Sequence, residues 1–109
     1  MGLKGKRILV TGASGFVGKP LCEVLRKQGA EVFALDVQGN DPIDLRDWQR
    51  LRDFGNKLGK LDLAYHLAAL MFVPYSFENP REVYDVNILG TLNVLELCRL
   101  SGVRKVVFA

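Results

Sequence analysis

Three glycines, Gly12, Gly15 and Gly18, stand at three-residue spacing in the stretch RILVTGASGFVG, Arg7 to Gly18. Glycines in this pattern can hold an anion. The first turns the chain sharply as a strand ends. The second has no Cβ, so a pyrophosphate can approach the backbone, and the third lets a new helix pack closely against the sheet. The N–H groups at the helix start then face the anion, which the helix dipole also favours. Glycines serve plain turns too, so the flanks decide. Ile8, Leu9 and Val10 form a short apolar run, and Phe16, Val17, Leu21, Val24 and Leu25 recur at roughly helical spacing. The stretch therefore predicts strand, tight turn and helix, the context in which a glycine triad binds a nucleotide.

Acidic side chains supply the complementary chemistry. Asp36 closes the run EVFAL, Glu31 to Leu35, eighteen residues after Gly18. A carboxylate there can accept hydrogen bonds from adenosine ribose hydroxyls and would repel a 2′-phosphate, which favours NAD over NADP. The plainer alternative is that Asp36 starts the turn before Gly39 and Asn40. Within DPIDLRD, Asp41 to Asp47, Asp44 could accept from an adenine amino group with Leu45 beside the ring. Equally, Asp44 or Asp47 could cap the helix that begins near Trp48. Ala68 and Ala69 follow the run DLAYHL and are small enough to let backbone lie beside a dinucleotide. His66, inside that run, reads as a structural histidine, and no Cys, His or carboxylate cluster around it has metal-ligand spacing. Met71, Phe72, Tyr75 and Phe77 crowd the stretch 70–79 and would line a cleft or pack beneath another part of the protein. Neither Tyr75 nor Ser76 has a base nearby in sequence to make it a nucleophile.

The elements that must position these residues follow from periodicity. Strands are predicted at Lys6–Thr11, Glu31–Leu35, Asp62–Leu67 and Arg104–Phe108, with Ile43 as the stub of a further one. The link from Asp36 to Asp44 is too short for a crossover containing a full helix, so that crossover is expected to be loop. Helices are predicted at Phe16–Lys27, from Asp47 to Phe54 or Leu58, and at Pro80–Leu100. Trp48, Leu51, Phe54 and Leu58 share one face of the second, and Gly55 and Gly59 are read as framing a basic turn after it. In the third, Val83, Val86, Asn87, Gly90, Val94 and Leu97 mark a stripe. Asn87 is the odd member, because a buried amide needs partners; it would tie this helix to the His66 strand or shape the cofactor loop. Gly90 would allow close helix-to-sheet packing.

The 109 residues suit one domain, 1–109. A hydrophobic fraction of 49% is ample for a core, and the seven Lys and eight Arg behind the net charge of +3 are scattered, which argues against a nucleic-acid groove. Cys22 and Cys98 both fall in predicted helices and read as buried thiols in a reducing compartment. No long apolar run suggests a signal segment or a membrane span, so a cytoplasmic protein is the expectation.

Several separate motifs in order resemble the N-terminal part of an extended short-chain dehydrogenase/reductase of the NAD-dependent epimerase/dehydratase family. They are TGASGFVG at Thr11 to Gly18, Asp36, Asp44-Leu45, HLAA at His66 to Ala69, SFENP at Ser76 to Pro80, and DVNILGTLNVLE at Asp85 to Glu96. The resemblance spans essentially the whole chain. It implies an α/β fold of Rossmann type, a three-layer parallel sheet; the chain is read as a truncated part of it with strand order 3-2-1-4-5, and the short link from Asp36 to Asp44, a departure from the family, leaves a reduced third strand. The resemblance also implies NAD as cofactor and chemistry on a sugar nucleotide or similar polyol. The cofactor would meet Gly12, Ser14, Gly15, Phe16, Val17 and Gly18 at the turn, and Asp36 with Val37 at the ribose. Asp44 and Leu45 would meet the adenine, while Leu67, Ala68, Ala69 and Met71 line the rim and Asn87 supports it. The family's catalytic Ser or Thr and Tyr-x-x-x-Lys pair have no counterpart. Tyr65, Tyr75 and Tyr84 are followed four places on by Ala69, Asn79 and Ile88. The chain is thus expected to bind NAD without catalytic residues or a substrate domain. Its last strand would be an open edge, and self-association through that edge or helix 80–100 is expected. Two other readings stay open: part of an extended dehydrogenase acting on a steroid-like or other alcohol, and a non-catalytic NAD-binding interaction domain.

Overall fold

The computed structural model describes residues 2–37, 42–68 and 77–108. Four parallel strands form one sheet: β1 (Arg7–Thr11), β2 (Glu31–Leu35), β3 (Leu63–His66) and β4 (Lys105–Phe108). Their spatial order is β2-β1-β3-β4. β1 is central, with Leu9 opposite Phe33 on one side and Ala64 on the other. Buried from both faces, it needs apolar side chains in both directions, and Ile8, Leu9 and Val10 are all fully buried.

The alternation of those side chains creates three layers. Ile8 and Val10 pack with Cys22 and Leu25 of α1 (Gly18–Lys27). Leu9 points the other way, into a larger core with Leu51 of α2 (Trp48–Leu58), and with Val94, Leu97 and Cys98 of a long C-terminal helix. That helix is continuous but not uniform. It comprises α3 (Pro80–Tyr84), a π-helical turn (Asp85–Leu89) and α4 (Gly90–Leu100). Both cysteines are buried as free thiols, and burial pushes the Cys98 thiol up to about 11. Among the described residues no helix is long and apolar enough to cross a membrane.

The strands take the predicted relative order, with one difference. Ile43 is not a strand among the described residues. Its N–H donates to the carbonyl of Asp36 at 2.8 Å, and its side chain is buried beside Leu35 and Leu45. That bond draws the chain back onto the end of β2 instead of letting it run alongside, so Ile43 fills the core as loop. Gly55 also differs from expectation. It lies buried inside α2, where the side chain of Leu97 on α4 packs over it, and only Gly59 ends the helix. Gly90 likewise faces Leu45, not the sheet.

On the outer side of the long helix Tyr84, Ile88 and Leu92 are exposed, as is Phe77 before it. The rest of the aromatic stretch, at 70–76, lies outside the described residues. β4 pairs only with β3 among the described strands.

Candidate functional site

The carboxyl ends of β1, β2 and β3 bring Gly12, Ser14, Asp36, Leu67 and Ala68 into one region. Gly12 follows β1 with φ +68°, where an L side chain is strained, and a Cβ on it would lie 2.9 Å from the backbone nitrogen of Ala68. The chain end of β3 therefore rests directly on the turn. Gly18 opens α1 facing the turn itself: a Cβ there would stand 2.1 Å from the carbonyl oxygen of Gly12. Its close packing is thus against Gly12 and Ala13, at the end of the strand, and not against the sheet face. Among the described residues Gly15 meets only the Gly12 oxygen, at 3.3 Å, and is otherwise open.

The start of α1 is well suited to an anion. Val17 caps it without any side-chain hydrogen bond, and its first turn holds no acidic residue. Helix-start amides left uncapped by side chains, beside a glycine that leaves open space, can receive a phosphate. Phe16 and Val17 turn their side chains outward, so what they bring to the turn is backbone. Pro20 falls in the first turn of α1, where its missing N–H costs little.

Asp36 leaves β2 and reaches across to this turn. Its Oδ2 accepts from the backbone N–H of Ser14 at 2.9 Å and from the Ser14 hydroxyl at 2.6 Å. Val37 follows it, exposed. Asp44 lies beyond, held by a partner the sequence reading did not single out. Arg46 Nε donates to both carboxylate oxygens, at 3.0 and 3.1 Å, Nη2 donates to Oδ2 at 2.6 Å, and the backbone N–H donates to Oδ1 at 2.9 Å. These hydrogen bonds hold the Asp44 carboxyl below its usual range. Helix capping falls to Asp47, which accepts from the N–H of Arg50 at 3.2 Å. Leu45 turns inward. Its side chain is in the core, packed near Gly90, and its carbonyl accepts from Asn93 Nδ2 at 2.7 Å. Leu45 can offer an adenine ring its backbone, not its side chain.

The rim formed by Leu67 and Ala68 depends on Thr11, which is fully buried. Its Oγ1 accepts from the N–H groups of Leu67 at 3.1 Å and Ala68 at 3.2 Å. Both lone pairs are then used, so its O–H donates to Nδ1 of His66, 2.7 Å away. His66 is therefore neutral with its proton on Nε2, which donates to Thr91 Oγ1 at 2.9 Å. Thr91 in turn donates to the carbonyl of Asn87 at 2.6 Å. Burial lowers the histidine pKa, consistent with the neutral form, and the ring of Phe108 stands edge-on to it at 5.7 Å. His66 is thus a satisfied structural residue. A tie from the long helix to β3 runs through Thr91. Ala69 and Met71 lie outside the described residues. Among the described residues no group of three or more His, Cys, Asp or Glu is placed to hold a metal ion.

The family model for the NAD dependent epimerase/dehydratase family matches residues 8–109. The CDP-glucose 4,6-dehydratase of Salmonella typhimurium is 36% identical over 121 residues, covering 95% of this chain and 33% of that protein. Among solved structures, epimerase Mth375 of Methanothermobacter thermautotrophicus superposes with a TM-score of 0.87 at 33% identity, over 97% of this chain and 35% of that one. The UDP-glucose 4-epimerase of Thermus thermophilus, solved in complex with NAD, gives a TM-score of 0.83 at 37% identity, over 94% of this chain and 36% of that one. The chain spans about a third of the length of each of these relatives.

Proposed function

The chain belongs to the NAD dependent epimerase/dehydratase family, and from that premise we propose that residues 1–109 are the NAD-binding part of a nucleotide-sugar epimerase or dehydratase. The observation that carries the reading is the meeting of an open glycine turn with an acidic side chain from the neighbouring strand, Asp36 against Ser14. The diphosphate would lie over Gly15 at the start of α1, the ribose against Asp36, and the adenine towards Asp44. Backbone of Leu67 and Ala68, with Ala69 and Met71 beyond, would border the other end, and Asn87 would brace that border through Thr91. NAD, when bound, would take a hydride from a sugar carbon and return it. This chain's own residues hold and orient the nucleotide. With no Tyr-x-x-x-Lys pair in the sequence, they are proposed to perform no proton transfer on the sugar.

The relatives support a sugar-nucleotide substrate for the whole enzyme, since the names of the Salmonella and Thermus proteins state such substrates. The exposed face of the long helix, and the pairing of β4 with β3 alone among the described strands, support self-association, readable by gel filtration. Calorimetric titration with NAD and NADP tests the cofactor reading. A folded sample should bind NAD in preference to NADP, and D36A should weaken NAD binding. Folded protein that binds neither nucleotide would overturn it.

A further inference from the structure

Ser14 and Asp36 are joined in an unusual way for a surface pair. Both donors of Ser14, its N–H and its hydroxyl, converge on the same carboxylate oxygen, at 2.9 and 2.6 Å. The shorter distance is that of a charge-assisted bond between a hydroxyl and an ionised carboxylate. Two donors from one rigid turn fix an acceptor oxygen in position and restrict rotation of the carboxylate plane. Ser14 sits between Gly12 and Gly15, while Asp36 leaves the neighbouring strand, so the link spans the exits of β1 and β2.

We propose that Ser14 is a positioning residue for nucleotide selectivity: its hydroxyl pins Asp36 so that the carboxylate cannot swing away from a 2′-phosphate. A carboxylate held less firmly would relax part of the repulsion against a phosphorylated ribose, because two exposed charges separate easily in water. A pinned one keeps that repulsion and presents a fixed acceptor to a 2′-hydroxyl. Selectivity then belongs to the pair, with the charge on Asp36 and its placement set by the glycine turn. The proposal rests on the reading of this turn as a dinucleotide site.

The test uses the 109-residue chain and its S14A and S14T variants. Each is titrated calorimetrically with ADP-ribose and with its 2′-phosphate, which differ only at the discriminating group, and each is checked for folding by circular dichroism. Loss of one hydrogen bond to a charged group predicts that S14A narrows the preference for ADP-ribose by about tenfold. S14T, which restores a hydroxyl, should keep it within about twofold of the parent. Equal weakening of both ligands in S14A, or an unchanged preference, would overturn the role assigned to Ser14 while leaving the nucleotide site intact. If S14A does not fold, S14T alone decides: a lost preference there overturns the proposal, and a retained one supports it. Failure of the folded parent chain to bind either ligand would overturn the dinucleotide reading itself, and the selectivity role with it.

Discussion

Gly15 and Gly18 lie three residues apart in one motif, yet the geometry assigns them opposite liabilities. A Cβ on Gly18 would stand 2.1 Å from the carbonyl oxygen of Gly12 and 2.9 Å from Cα of Ala13. The first distance is about 1.3 Å inside the 3.4 Å at which ordinary contact begins. The three nearest atoms are all backbone, so rotating a side chain does not relieve them, and either the turn or the start of α1 must move. Overpacking of this kind costs about 1–3 kcal/mol, and a rigid backbone obstacle puts G18A at the upper end, about 3 kcal/mol. For a domain of this size that corresponds to a fall in Tm of roughly 10–20 °C. Gly15 has one neighbour, the same oxygen, at 3.3 Å, and its φ is not in the left-handed region. A shift of a few tenths of an ångström accommodates a methyl there, so G15A should change stability by less than about 1 kcal/mol. The methyl would occupy the space left for a phosphate, and NAD affinity should fall tenfold or more.

Thermal unfolding followed by circular dichroism, paired with NAD titration, separates the two. G18A should lose stability, and G15A should lose binding at nearly unchanged Tm. A G18A protein as stable as its parent would refute the close approach of α1 to Gly12. A G15A protein that binds NAD with parental affinity would refute the placement of the diphosphate over this turn.

Further outcomes follow from the polar groups. His66 has a folded pKa lowered by burial, so the stability it contributes is fully present above its unfolded value near 6.5 and is lost as pH falls below it, levelling once the folded value is reached. It is the sole histidine, so H66L should flatten the denaturant-derived stability slope just below pH 6.5. T11V keeps the shape of Thr11 but removes the partner of His66 Nδ1 and Ala68 N–H, and urea unfolding should show a loss of about 2 kcal/mol. D47A removes the acceptor at the start of α2 and should cost about 1 kcal/mol in the same assay.

The elements easiest to read from sequence were those specified by local pattern. The run Ile8–Leu9–Val10 is apolar in both directions, as an interior parallel strand must be, and the glycine spacing announces a turn whatever packs around it. Asp36 could be placed because its position follows from the strand it ends. Elements set by contacts distant in sequence were not legible. Leu45 is apolar whether it faces a ring or the core, and only the approach of Gly90, forty-five residues on, turns it inward. Gly55 reads locally as a helix breaker, but it is a contact surface for Leu97. Ile43 as a strand stub rested on one residue, too short for any periodicity to fix, and a single backbone bond to Asp36 decides its fate. Thr11 ends a strand like any threonine until His66, fifty-five residues away, is brought beside it.

The π-helical turn at Asp85–Leu89 leads directly into that same polar chain. Here the N–H of Gly90 bonds five residues back to the carbonyl of Asp85. An α-helix advances about 100° per residue, so fitting one more residue into a turn rotates everything that follows by about that angle. The rotation sets the phase of α4 relative to α3: Thr91 comes round to His66, Gly90 faces Leu45, and Val94 and Leu97 enter the core. A buried ring nitrogen left without a partner costs about 1–3 kcal/mol, so the phase that brings Thr91 to His66 has a definite energetic value. The Thr91 hydroxyl then completes the arrangement by donating to the Asn87 carbonyl within that turn. The helix irregularity and the fixed tautomer of His66 thus meet at Thr91, and the polar chain runs from there through His66 to Thr11, the last residue of β1 before the glycine turn.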